Sequence, residues 1–188
     1  MIRPHNFLLF IACVGDQLSL ASQLVNRTID DTYGDSSTGL MVQYTPSSNS
    51  LGGPYWVNNE QCNTTAGSCA ITPSTNFAFD HTWTQTTYFP NVHNISVGFS
   101  FSGIAIYVYL IVTNAPLNSS LVSNVFCDFR LDGEIVGHFS HLTDNSSNPQ
   151  FNVSAFNKID LNPGNHEMLI ETTGDQNSFI IFDYALYT

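Results

Sequence analysis

Charge is scarce in this chain. Of 188 residues, 10% are charged, against roughly 25% in an ordinary globular protein. Four are Lys or Arg and 15 are Asp or Glu, for a formal net charge of −11. So few basic residues exclude a nucleic-acid protein, which needs a basic surface to displace counterions from phosphate. The same deficit excludes electrostatic docking on an anionic membrane. Long apolar runs are also missing. The two longest, residues 7–15 and 104–112, are nine residues each, well short of the roughly 20 that cross a bilayer. Catalytic signatures are absent: there is no Gly-x-Ser-x-Gly elbow, no P-loop and no His-Glu-x-x-His. Asp80, Asp132, Glu134, Glu167 and Glu171 are carboxylates of the kind glycosidases use, but no spacing selects a pair. The chain reads as a non-enzyme.

What fills the gap is polar and aromatic. Asn, Ser and Thr number 19, 20 and 17. With 14 Phe, 8 Tyr and 2 Trp, the chain has far too much to bury for intrinsic disorder. Six Asn-x-Ser/Thr sequons occur, at Asn26, Asn63, Asn94, Asn118, Asn145 and Asn152. Arg3 and His5 precede the apolar run 7–15, and small residues follow, which is the layout of a secretory signal. The expected signal peptide is residues 1–21, cleaved after Ala21, with cleavage after Gly15 as the competitor. The rest, residues 22–188, reads as one domain, secreted and glycosylated at the sequons. In an oxidising compartment Cys62 and Cys69, bracketing a Gly-containing turn, read as a small-loop disulfide. Cys127 shares an apolar face with Val125, Phe129 and Leu131 and reads as a buried thiol. No Cys or His pair has zinc-ligand spacing, and His138 and His141 fall on opposite faces of a strand.

Strand signals recur near 25–30, 40–44, 86–89, 95–101, 104–113, 124–131, 134–141, 150–156, 166–172 and 178–187. Asp132-Gly133 predicts a tight hairpin. Ile104–Val112 predicts a central strand buried on both faces. Ten short strands with long early loops predict an all-β fold, a two-sheet jelly-roll sandwich. No Asp, Glu, Lys or Arg lies in the 47 residues between Asp80 and Asp128. Glycans at Asn94 and Asn118 are expected to keep that segment soluble.

Two stretches carry candidate chemistry. Asp30, Asp31 and Asp35, with Gly34 to turn the backbone, are hard oxygen ligands suited to Ca²⁺, or else a solvated turn. From Phe77 to Pro90, aromatics alternate with hydrogen-bonding side chains. That mix suits a sugar, with Trp83 and Tyr88 stacking and Asp80 and Gln85 reading hydroxyls. The plain alternative is that both aromatics belong to the core.

These stretches and others together resemble a known domain. The residues are Ile29-Asp30-Asp31-x-x-Gly34-Asp35 with Thr38-Gly39, Tyr44-Thr45-Pro46, and Trp56 ahead of the cysteine pair. Ala78-Phe79-Asp80-x-Thr82-Trp83 with Thr86-Thr87-Tyr88, Leu131-Asp132-Gly133-x-x-Val136-Gly137 and the closing Phe182-Asp183-Tyr184-Ala185-Leu186-Tyr187-Thr188 complete the set. The chain is similar over residues 24–188 to a domain of secreted and single-pass membrane proteins of mushroom-forming fungi. It departs from that pattern at His81, where Gly is usual, and at Thr84, where His is usual. Many of those proteins continue into a Ser/Thr-rich stalk and a membrane helix. The resemblance implies a galactose-binding-like sandwich of the kind shared by carbohydrate-binding modules. It also implies a structural Ca²⁺ between the first strand, at Asp30 or Asp31, and Asp183 in the last. The expected function is non-catalytic binding of a glycan or cell-wall polysaccharide outside the cell. The alternatives are a structural or adhesive surface module with no small ligand and, third, a glycoside hydrolase.

Overall fold

The computed structural model describes residues 25–48, 54–64, 69–114, 120–144, 146 and 148–188. The expected signal peptide 1–21, Asn118, Asn145 and the side chain of Asn63 lie outside the described residues. In chain order the strands are β1 (Arg27–Asp30), β2 (Gly34–Asp35), β3 (Gln43–Thr45), β4 (Val57–Asn58), β5 (Thr84–Tyr88) and β6 (Ile95–Gly103). They continue with β7 (Ile106–Val112), β8 (Val125–Leu131), β9 (Glu134–His141), β10 (Gln150–Lys158), β11 (Gly164–Thr172) and β12 (Ser178–Tyr187). All pairings among them are antiparallel. Sheet A runs β10-β7-β12-β1-β2, with β5 on the other part of β12 and β4 on β5; sheet B runs β3-β6-β11-β8-β9. The expected two-sheet sandwich is what the chain adopts.

Alternation in the sequence decides which side chains meet. In β8, Val125, Cys127, Phe129 and Leu131 are buried while Phe126, Asp128 and Arg130 point the other way. Such alternation on both sheets closes one core between them. Phe99 of β6 stacks on Phe182 of β12 at 5.9 Å, and Phe129 of β8 on Phe156 of β10 at 4.8 Å. Asp132 and Gly133 turn the β8–β9 hairpin with φ of 54° and 88°, the left-handed conformations that match strand twist. Cys62 and Cys69 are bonded, with Cα atoms 5.4 Å apart. Cys127 is a buried free thiol, and burial pushes it well above its usual range.

Two expectations need correction. Ile104–Val112 is not one strand buried on both faces. Gly103 ends β6 and β7 begins at Ile106, with Tyr107 and Tyr109 half-buried on the outer face. A helix also appears where only loop was expected. Helix α1 (Asn59–Thr64) forms because Asn58 and Gln61 cap each other: Gln61 N–H donates to Asn58 Oδ1 and Asn58 N–H to Gln61 Oε1, both at 2.9 Å. Among the described residues no helix is long and apolar enough to cross a membrane.

The two outer faces differ. Residues 69–83, ahead of β5, fold over sheet A, where Ala78 and Trp83 pack with Ile111, Phe179 and Ile181 in a second, smaller apolar cluster. Over sheet B, among the described residues, lies the short loop after β2. That loop is held tightly: Gly34 has φ of +74°, and Asp35 N–H donates to Leu40 O at 2.9 Å. A Cβ at Gly34 would lie 2.4 Å from that carbonyl oxygen. Gly34→Ala therefore meets both strain and a backbone clash, and is expected to cost more than about 2 kcal/mol in urea unfolding.

Candidate functional site

The stretch 77–90 does not form the expected sugar platform. Trp83 is 1% exposed, and its indole N–H donates to Pro73 O at 3.1 Å. Tyr88 is 2% exposed, with its hydroxyl donating to Gly174 O at 2.7 Å. Neither ring offers a face to solvent, so neither stacks on a sugar. Gln85 is buried too, and its Nε2 donates to Ile71 O at 3.1 Å. Asp80 is exposed, on a turn where it and His81 both take positive φ. The four residues do not share one surface. The cause is the polar residues themselves, which bond inward to the segment that covers sheet A.

The acidic candidates do come together. Asp30, Asp31 and Asp183 are 2%, 2% and 0% exposed. Asp31 N–H donates to Asp183 O at 3.1 Å, joining the end of β1 to β12. Asp30 Oδ1 accepts from the N–H groups of Thr32 and Tyr33 at 2.9 and 2.6 Å, and both its oxygens accept from the Thr82 hydroxyl. Asp31 Oδ2 accepts from the Thr32 and Thr84 hydroxyls at 2.9 and 2.6 Å. Asp183 Oδ1 accepts from Phe79 N–H at 2.9 Å, reaching across the sheet to the 79–81 turn. Two of these oxygens, Asp31 Oδ1 and Asp183 Oδ2, have no donor among the described residues.

Burial pushes Asp31 up to about 6 and Asp183 up to about 7, and the neighbouring acids push both further in the same direction. A buried carboxylate pair in this state takes up either a proton or a cation. Among the described residues no three His, Cys, Asp or Glu side chains are arranged to hold one metal ion. Asp35 belongs elsewhere: it caps the 35–38 turn and accepts from the Tyr187 hydroxyl.

The open outer face of sheet B is the feature the sequence reading did not single out. Register places Gln43, Gly98, Leu169 and Arg130 side by side across β3, β6, β11 and β8. The next row outward-facing along the strands is Thr45, Ser96, Glu171, Asp128 and His138. Gly98 leaves the middle of the face low, and the 36–41 loop overhangs it. Two adjoining grooves of about 430 and 570 Å³ result, and both are lined by Leu40, Ser100 and Glu167. Leu40 and Met41 are 58% and 52% exposed at the rim.

Polar side chains on this face are braced. Arg130 is bonded to Glu171 and, at 3.2 Å, to Gly133 O. His138 bonds Asp128 at 2.5 Å. At the end of the face Asp132 bonds His166, which points inward from β11 beside Phe101, at 2.7 Å; that bond raises the imidazole above its usual range and lowers the Asp132 carboxyl. One signal in the sequence could have found the face. The alternating Ser96, Gly98, Ser100 and Ser102 of β6 are small, three of them with hydroxyls, and the outward positions of β11 facing them include Glu167 and Glu171.

No family model matches the chain, and no curated protein matches it. Among solved structures the chain is similar to the CBM36-1 domain of a multidomain xylanase from the hindgut metagenome of Trinervitermes trinervoides. That match has 18% identity over 55% of this chain and 74% of that one, with a TM-score of 0.34. A family 35 carbohydrate binding module from Clostridium thermocellum matches at 14% identity over 71% of this chain and 98% of that one, with a TM-score of 0.42. The Agl-KA catalytic domain matches at 11% identity with a TM-score of 0.45; the match covers 87% of this chain but 27% of that one.

Proposed function

We propose that this chain is a secreted glycoprotein that binds a glycan or wall polysaccharide along the outer face of sheet B, without catalysis. The observation that carries the reading is the pair of adjoining grooves that share Leu40, Ser100 and Glu167. A sugar ring has an apolar face and a rim of hydroxyls. Leu40, Met41 and Leu169 supply apolar contact, while Gln43, Ser100, Glu167 and Arg130 supply donors and acceptors. The braced side chains lose little freedom on binding, which favours affinity. A groove open along a sheet suits a chain of sugars better than a single buried one.

The carboxylates on this face suit hydroxyl recognition rather than hydrolysis. Glu167 and Glu171 stand four residues apart on one strand, about 13 Å at strand rise, beyond glycosidase spacing. Asp128 and Glu171 are closer, as cross-strand partners, but His138 and Arg130 respectively hold them. Neither is left free to protonate a leaving oxygen.

Three sequons support the glycosylated reading. Asn26, Asn94 and Asn152 are exposed. Asn26 Oδ1 accepts from the Thr188 hydroxyl and Asn152 Oδ1 from the Tyr184 hydroxyl, which leaves each Nδ2 for a glycan. A structural Ca²⁺ belongs to the same reading. Asp31 and Asp183 would hold it through their two open oxygens, with Asp30 adding negative charge. Its contribution would be to neutralise buried carboxylate and tie β1 to β12.

The test is an array of fungal and plant wall polysaccharides probed with the secreted protein and with Glu167→Ala. Binding that falls at least tenfold, about 1.4 kcal/mol, with an unchanged unfolding midpoint supports the groove. No binding to any polysaccharide favours a structural or adhesive module.

A further inference from the structure

The outer face of sheet A carries a ladder of aromatic rings beside a sequon. Tyr184 stacks on Phe79 with ring centroids 4.4 Å apart and on Tyr109 at 4.6 Å, with interplanar angles of 24° and 10°. Phe79 and Tyr109 are half-buried, so each end of the ladder reaches solvent. The Asn152-Val153-Ser154 sequon of β10 is attached to it at two points. Tyr184 donates its hydroxyl to Asn152 Oδ1 at 3.2 Å, and Ser154 is the cross-strand partner of Tyr109. The β10–β7 pairing shifts register between Gln150 and Val153, and Asn152 takes φ of 55° there. Such a bulge re-aims side chains, here turning two consecutive residues to the outer side. Phe151 packs with the apolar cluster on that face and Asn152 bonds the ladder, while Val153 packs on the core between the sheets. Asn152 and Ser154 are both exposed.

We infer that the glycan on Asn152 is a built-in ligand of this face, its first N-acetylglucosamine packing against the Tyr109 end of the ladder. The amide sets where the sugar starts. Oδ1 is taken by the Tyr184 hydroxyl, so the sugar leaves from Nδ2 of the same amide, beside the stacked rings. A pyranose has an apolar C–H face, and a large, flat, rigid aromatic side chain covers such a face well. Among the described residues Tyr109 stacks on one ring only, Tyr184, and its partner across the strand is a serine, too small to cover it. A sugar tethered to the chain loses little freedom on packing there, so even a modest contact shows as folding stability. The inference rests on the reading of the chain as secreted and glycosylated. It shares no residue with the sheet B grooves and does not rest on the reading given them.

The test uses the full chain, secreted from a eukaryotic host that adds high-mannose glycans and trimmed with endoglycosidase H to single N-acetylglucosamines. Peptide mass spectrometry is expected to find Asn152 occupied. The acetyl-methyl and ring protons of that sugar are expected to show upfield ring-current shifts and nuclear Overhauser contacts to Tyr109. Ser154→Ala removes the sequon from an exposed position and keeps the Asn152–Tyr184 bond; it should lower the unfolding midpoint by about 2–4 °C. Ser154→Thr keeps the sequon and should keep the midpoint. In a Tyr109→Ala background, Ser154→Ala should cost less than about 1 °C. Asn152 left bare while Asn26 or Asn94 carries sugar overturns the inference alone, whereas no sugar at any sequon overturns the glycosylated reading with it. An occupied Asn152 whose sugar makes no contact with Tyr109, or a Ser154→Ala protein that melts like Ser154→Thr, also overturns the inference. Should Tyr109→Ala not fold, the Overhauser contacts and the two Ser154 variants decide.

Discussion

Trp83→Ala is expected to lower folding stability by about 3–5 kcal/mol, the cost of emptying a large aromatic site in a packed core. The ring is the largest of the fully buried side chains. It fills the cluster with Ile111, Phe179 and Ile181 that seats the covering segment on sheet A. Truncation also strips Pro73 O of its indole donor. For a chain of this length 1 kcal/mol corresponds to about 2–4 °C, so the midpoint should drop by about 6–20 °C. Trp83→Phe keeps most of the volume and should recover more than half of the loss. Polysaccharide binding, measured below the lowered midpoint, should be unchanged in both variants. A Trp83→Ala protein that melts like the parent but no longer binds would return Trp83 to the ligand and contradict its placement in the core.

The second large effect is an inverted pH dependence of stability, reversed by calcium. Asp31 and Asp183 have folded-state values raised to about 6 and about 7 from 3.8. A raised acid contributes stability that is fully present below about pH 3.8 and is lost as pH rises through 6 and 7. His166, raised by its bond to Asp132, adds a loss of the same sign near neutrality. At about 1.4 kcal/mol per pH unit, either carboxylate amounts to something on the order of 3 kcal/mol. The two interact, so the pair loses its protons jointly rather than as independent sites. Cation-free protein should therefore unfold about 6–12 °C higher at pH 5 than at pH 8. Ca²⁺ competes with the proton for the same oxygens. Excess Ca²⁺ should raise the midpoint at pH 8, leave it nearly unchanged at pH 5, and be undone by chelation. A midpoint indifferent to Ca²⁺ at pH 8 would remove the cation, and one that rises with pH in chelator would remove the buried pair.

Strand alternation made most of the sandwich legible. The period-2 pattern of β6, β8 and β11 identifies the core face, and Asp132-Gly133 locates the hairpin it turns. Burial of Asp183 was harder to read, because alternation between Phe182 and Tyr184 allows an outward side chain. A register shift between those two neighbours in the β12–β7 pairing accompanies its burial. Trp83, Tyr88 and Gln85 failed as surface residues for a related reason. Composition says that an aromatic near polar residues can meet a sugar, but only the covering segment decides whether solvent reaches it. The sheet B groove was illegible for the opposite cause. Gly98, Leu169 and Arg130 are far apart in sequence and become neighbours only through the registers of β6, β11 and β8.

Amide chemical-shift mapping, during titration with a soluble fragment of the best polysaccharide ligand, tests the central claim most directly. Perturbations are predicted to concentrate on Leu40, Met41, Gly98, Ser100, Arg130 and Glu167, with Asp80 and Trp83 unmoved. Saturable shifts confined to residues 77–90, with the sheet B face silent, would contradict it.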